Sequence, residues 1–132
     1  MTAPTIASRL RRRFVVMTTD EALLERLRRD LPAAWEMVEA LDLETLGEYQ
    51  DILLFRFLFL DLDEQAAFDP LDIIDTVRRE HMLNVPIFCF GGSQALRDAA
   101  RLARADRFFE RDEVAEKVRL FCDQYRWGEE AD

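Results

Sequence analysis

No stretch of this 132-residue chain is apolar over the roughly 20 residues that a membrane-spanning helix needs. The longest apolar stretch, residues 52–62, is interrupted by Arg56 and Asp61. The chain begins with polar residues and reaches Arg9, Arg11, Arg12 and Arg13 with no apolar segment behind them of the kind a secretory signal requires. A cytoplasmic, non-membrane protein is expected, with residues 1–12 a flexible Arg-rich arm and residues 128–132 an acidic tail. Cysteine is scarce. Cys89 in an apolar run and Cys122 on a helical stripe share no metal-ligand spacing and read as small buried hydrophobes. The one histidine, His81, falls on the apolar face of a helix near its end, with no acid or nucleophile paired to it by sequence. Lysine is nearly absent: of 18 basic residues only Lys117 is a lysine, so chemistry that needs an ammonium has one candidate. A basic surface is missing too, since a net charge of −9 argues against duplex nucleic acid as the main ligand.

Apolar residues make up 49% of the chain and charged residues 34%, the proportions of a folded globular protein. A single domain of this length buries about two-thirds of its unfolded surface. Residues 13–17 are apolar and β-branched and predict a buried strand. Leu23, Leu24, Leu27 and Leu31 follow at helical spacing, with Thr18 and Glu21 in the form of a capping box and Pro32 as the stop. Residues 35–40 roughly alternate, as on an edge strand, and the spacing of Leu43, Leu46, Tyr49, Leu53 and Leu54 predicts a second helix over residues 43–54 with Gly47 as its weak point. Residues 55–60 are nearly continuous in apolarity and predict a central strand covered on both faces, ending in Asp61.

Asp69 and Pro70 form a helix start whose face continues through Ile74, Val77 and His81. Residues 85–90 are another buried strand, closed by Gly91 and Gly92, and Ser93 caps a helix carrying Leu96, Ala99, Ala100 and Ala103. Residues 107–110 predict a short fifth strand. Asp112 opens a last helix with the stripe Val114, Val118, Phe121, Cys122 and Tyr125. Five strands alternating with five helices at short connections predict an α/β fold: a (βα)5 doubly wound, parallel, five-stranded sheet.

Over residues 13–127 this order and the strand-end residues resemble the receiver domain of bacterial response regulators, a flavodoxin-like fold. Phe59, Leu60, Asp61 and Leu62 resemble the family's third-strand ending, where the aspartate accepts a phosphoryl group. Residues 85–92 resemble its fourth strand and following loop, and Arg104, Ala105, Asp106, Arg107 and Phe108 the lead-in to its fifth. The resemblance implies two-component signalling and a site in which acids hold Mg²⁺, an aspartate attacks, a lysine pairs with the phosphoryl group and a hydroxyl senses it. Aligned without gaps, the acid pair falls on Thr18 and Thr19, leaving Asp20 as the acid there. The phosphoacceptor position falls on Asp61, the hydroxyl on Gly91, the aromatic switch on Phe108 and the lysine on Arg111. An arginine fork is not a geometric copy of an ammonium.

The expectation is a degenerate pseudo-receiver, not an enzyme and without a cofactor, that works by binding a signalling protein or a second copy of itself. The expected face comprises the fourth helix, fifth strand and fifth helix, where Arg101, Arg104, Arg107, Phe108, Arg111 and Arg119 place positive charge in an acidic chain. Other readings stand beside it. A register slipped so that Asp20 and Glu21 form the acid pair leaves a working phosphoacceptor at Asp61 with Mg²⁺. Asp61 and Asp63 have the Asp-x-Asp spacing of haloacid-dehalogenase phosphatases, although on the third strand rather than the first. Asp61 also reads as a solvated strand-end carboxylate without a charged partner, in which case Asp61→Ala costs little stability. Gly91, Gly92 and Ser93 at a helix start suit an anion or simply a tight turn.

Overall fold

The computed structural model describes residues 10–127. Its strands are β1 (Arg12–Met17), β2 (Trp35–Glu39), β3 (Leu58–Asp61), β4 (Ile87–Phe90) and β5 (Arg107–Phe109), all parallel and ordered β2-β1-β3-β4-β5. Between and after them lie α1 (Glu21–Arg29), α2 (Tyr49–Ile52), α3 (Pro70–Asp75), α4 (Gln94–Leu102) and α5 (Val114–Gln124). The predicted (βα)5 sheet is therefore the architecture, with residues 35–39 at an edge as their alternation indicated.

Side-chain alternation along the three central strands divides the core into two chemically different layers. Phe14, Val16, Phe57, Phe59, Phe88 and Phe90 face one side, where they meet α1 and α5. Val15, Met17, Leu58, Leu60, Ile87 and Cys89 face the other and pack on α3 and α4. The first layer is aromatic: Phe88 stacks on Phe121 at 4.1 Å and Phe14 on Phe57 at 4.8 Å between ring centroids.

Several local expectations change. The N-cap of α1 is Asp20, which accepts from Leu23 N, so Thr18 and Glu21 form no capping box. Residues 43–54 are not one helix: Gly47, at φ +106°, separates a 3₁₀ turn (Glu44–Leu46) from the single turn of α2. Helix α3 continues into a π turn (Thr76–Glu80), and its Asp69 cap and Pro70 start stand as expected. Ser93 caps α4 as expected. A 3₁₀ turn (Arg111–Glu113), started by a capping box between Glu110 and Glu113, leads into the last helix, so Asp112 does not cap it.

Of the residues expected in the Arg-rich arm, Leu10, Arg11 and Arg12 belong to the folded body. Arg56, which looked like an interruption, is 2% exposed and donates to the backbone carbonyls of Leu10, Arg11, Tyr125 and Trp127 at 2.6–3.3 Å. One guanidinium thus ties the first strand's lead-in to the end of the last helix. Residues 1–9 and the acidic tail 128–132 lie outside the described residues.

Candidate functional site

In an open parallel sheet, ligands bind beyond the carboxyl ends of the strands where the strand order reverses. Here that point lies between β1 and β3, where Thr18 follows β1 and Asp61 ends β3. Asp61 is 3% exposed, and both of its oxygens are engaged. Its Oδ2 accepts from Thr18 Oγ1 at 2.7 Å, and its Oδ1 accepts from Asp63 N at 2.9 Å and from Arg111 Nη2 at 2.7 Å. Thr18 Oγ1 in turn accepts from Asp20 N at 3.0 Å.

Arg111 leaves β5 and lies over the Phe90 ring, its guanidinium carbon 5.0 Å from the centroid. From there its fork reaches three acids. Nη1 donates to Asp20 Oδ2 at 3.0 Å, and Nη2 to Asp63 Oδ2 at 2.8 Å in addition to Asp61. Burial, the largest single effect, lowers the Arg111 pKa, but the hydrogen bonds to Asp61, Asp63 and Asp20 and the charge of Asp61 together raise it. The same bond holds the Asp63 carboxyl below the ordinary aspartate value, against a smaller opposing effect of burial and with help from Gly92 N. The loops after β1, β3, β4 and β5 are thereby joined through one cation.

The position after β4 completes the arrangement. Gly91 has φ +69°, and a Cβ there would overlap the Asp63 carboxylate and stand 3.2 Å from Arg111 Nη2. A side chain at residue 91 would require the Asp63 carboxylate to shift from its place beside Arg111. Arg97 braces the loop from behind, donating to the carbonyls of Gly91 at 3.0 Å and Phe109 at 3.3 Å.

A divalent cation of the kind receiver chemistry uses does not fit these donors. Thr18 and Thr19 stand where two carboxylates would be needed, Thr19 donates through both N and Oγ1 to Glu64, and the converging oxygens of Asp20, Asp61 and Asp63 face a guanidinium. Among the described residues no group of three or more His, Cys, Asp or Glu side chains is arranged to hold a metal ion. Glu21 of the slipped register points elsewhere and pairs with Arg28.

No family model and no curated protein matches the chain. Solved structures do. It is similar to a CheY-like protein (tadZ) from Pseudomonas aeruginosa, with 20% identity, a TM-score of 0.66, and 92% of this chain and 98% of the other covered. A phosphorylated cyanobacterial phytochrome response regulator, RcpA, matches with 12% identity, a TM-score of 0.69 and coverage of 89% and 96%. A response-regulator signal receiver domain from Bermanella marisrubri matches with 21% identity, a TM-score of 0.63 and coverage of 83% and 96%. The fold is that of a receiver domain.

On this receiver fold the expected site residues Thr18, Asp20, Asp61, Gly91 and Arg111 converge. Phe108 does not join them: it is half-buried against the aliphatic layer, beneath the Arg101 guanidinium at 4.7 Å. The expected basic face also divides. Arg101, Arg104 and Arg107 are exposed around β5, but Arg111 is drawn into the acidic pocket, and Arg119 lines a hollow with Arg12, Pro32 and Trp35 on the α1 side. Asp61 is not a solvated carboxylate without a charged partner, so the expectation that Asp61→Ala is cheap loses its basis. Glu64 and Arg97 were missed as site residues, and Asp63, expected only as the second acid of the Asp-x-Asp reading, was missed as a partner of Arg111. The one signal for them was the Gly91-Gly92 pair, which leaves room for a neighbouring carboxylate.

Proposed function

We propose that this chain is a receiver-fold signalling module whose output is binding to a protein partner, with phosphorylation of Asp61 impaired. The observation that carries the reading is the Arg111 fork on Asp20, Asp61 and Asp63. Phosphoryl transfer to an aspartate requires a free carboxylate oxygen in line with the donor phosphorus, and a cation held for the incoming oxygens. Here Asp61 Oδ1 carries two donors and Oδ2 carries one. The nearby cation is spent on carboxylates of its own chain. Exposed residues support the binding part: Arg101, Arg104 and Arg107 are exposed from the end of α4 to β5, and Leu102 at the end of α4 is 84% exposed. Exposed arginines suit an acidic protein surface, and an exposed apolar side chain can anchor it.

Incubation with Mg²⁺ and phosphoramidate, read by intact-mass spectrometry, tests the first part. No phosphoryl adduct is expected. A stoichiometric adduct that is lost in Asp61→Asn would make the chain a working phosphoacceptor and overturn the reading. Charge reversal in Arg104→Glu/Arg107→Glu tests the second part by co-purification from cells that express the chain. Loss of a co-purifying protein, with an unchanged circular dichroism spectrum, is expected. Retention of every bound protein removes this face.

A further inference from the structure

A second surface lies away from the Asp61 pocket, between the segment that follows β2 and helix α3. It is a groove of about 630 Å³. Leu43, Ile52, Phe68 and Ile73 form its apolar walls, and Leu41 and Tyr49 on its border are 43% and 52% exposed. Gly47 shapes it. With the chain at φ +106° there, residues 43–54 break into two short turns, and a Cβ would overlap the Asp51 carboxylate.

The rim carries five carboxylates, those of Asp42, Glu44, Glu48, Asp69 and Asp72. No arginine or lysine lines the groove, and His81 is its one basic side chain. This departs from the rest of the surface, where arginines sit on nearby acids: Arg11 on Glu36, Arg28 on Glu21 and Glu39, Arg79 on Asp75, Arg97 on Glu110. Among the described residues none of the five rim acids has an ion-pair partner. Asp42, Glu48 and Asp69 do bind local backbone N–H groups, which leaves Glu44 and Asp72 as rim charges without such a structural bond.

We propose that this groove docks a basic segment of a partner protein, with apolar side chains against Leu43, Ile52 and Phe68 and arginine or lysine side chains on the rim. An apolar floor supplies the anchor, and unpaired carboxylates select cations over anions and set the encounter rate. A second copy of this chain is a poorer occupant, because two bodies of net charge −9 repel each other. The inference is independent of the Asp61 chemistry, since none of the groove residues belongs to that pocket.

The probe is a synthetic helical peptide of about 15 residues, with leucines at i, i+3, i+4 and i+7 and arginines between them, beside a counterpart with glutamate for arginine. Fluorescence anisotropy should show binding of the arginine peptide alone, weakening as salt rises. Glu44→Gln/Asp72→Asn should weaken it at least about fivefold, while Glu25→Gln/Glu116→Gln, which removes the same charge from α1 and α5, changes it less than about twofold. Leu41→Ser/Tyr49→Ser, both at exposed positions, should weaken binding without altering charge. Circular dichroism confirms the fold of each variant. Equal weakening by the two neutralised pairs would reduce the effect to net charge and overturn the proposal, as would no binding of the arginine peptide. Self-association by sedimentation that Glu44→Gln/Asp72→Asn abolishes would overturn it in favour of a second copy.

Discussion

Replacing Arg111 by Met keeps an unbranched side chain over the Phe90 ring and removes the guanidinium, so it isolates the charge at the centre of the pocket. The three partners differ in exposure: the side chain of Asp61 is 4% exposed, that of Asp20 29% and that of Asp63 53%. The pairs with Asp20 and Asp63 are screened by solvent and contribute together at most about 1 kcal/mol. The pair with Asp61 is different. Stripping the partner from a buried charge costs about 3–5 kcal/mol when burial is complete. Arg111 is itself a third exposed, and Thr18 Oγ1 and Asp63 N continue to donate to Asp61, so a loss of about 2–3 kcal/mol is expected. Urea unfolding followed by circular dichroism measures it. A double-mutant cycle with Asp61→Asn separates the pair from packing, and the coupling energy should be about 1.5–3 kcal/mol. Coupling below about 0.5 kcal/mol would class the pair with ordinary surface ion pairs and refute the reasoning.

Arg56→Met should cost more, about 3–4 kcal/mol by urea unfolding, because four backbone carbonyls lose a charged donor in a buried position; a loss under about 1 kcal/mol would mean that water replaces the donor. The folded Asp63 carboxyl sits below its ordinary pKa, so its stabilising contribution is present above the unfolded value of about 3.9 and is lost as pH falls through the lower folded value. Stability measured from about pH 5 to pH 2 should therefore fall less steeply in Asp63→Asn than in the wild type, and parallel curves would contradict the pairing. Burial raises the Cys89 and Cys122 thiols to about 12 each, so an aromatic disulfide reagent near pH 8 should modify both only after urea is added. Rapid modification of the folded chain would show that one of the two layers opens.

The strands were legible because their burial is two-sided. Near-continuous apolar runs at residues 14–17, 57–60 and 87–90 cannot be solvated on either face, and that property alone puts β1, β3 and β4 in the middle of a parallel sheet. Helix starts were legible where the cap is local, as at Asp69 and Ser93. They were misread where a distant residue claims the capping group. Thr18 has the right spacing to Glu21, but its hydroxyl donates to Asp61, 43 positions away, and Asp20 takes the cap. Arg56 was opaque for the same reason, since the carbonyls that surround it come from both ends of the chain. Residues 43–54 misled through periodicity: the leucine spacing is helical, but Gly47 adopts a left-handed conformation that ends any helix. The candidate site was half visible. The receiver resemblance located Thr18, Asp61, Gly91 and Arg111, whereas the fork of Arg111 onto Asp63 depends on a loop geometry with no signature in sequence spacing.

The difference between an exchangeable cation and one borne by the chain bears directly on regulation. A metal ion leaves and returns, so the charge of its pocket depends on metal and on phosphoryl donor. Arg111 is covalently fixed, and its three carboxylates lie on the loop after β1, at the end of β3 and on the loop after β3, so the cation of this pocket does not exchange. On the proposed reading Gly91, without a side chain, and Phe108, packed against the core, leave no group there to report an added phosphoryl. Such a module has, on the proposed reading, no chemical switch at Asp61 with which to shift between two arrangements of its surface. On the proposed reading, control therefore passes to mass action: the binding faces are permanently formed, and occupancy follows the concentration of partner. Arg111→Lys/Thr18→Asp puts an ammonium and a carboxylate at two of the divergent positions and addresses that argument directly. If Arg111 and Thr18 are what block the chemistry, the double variant should gain a phosphoryl adduct with Mg²⁺ and phosphoramidate that the wild type lacks. A folded double variant with no adduct would show that the Gly91 loop, and not the charge pattern, closes the site.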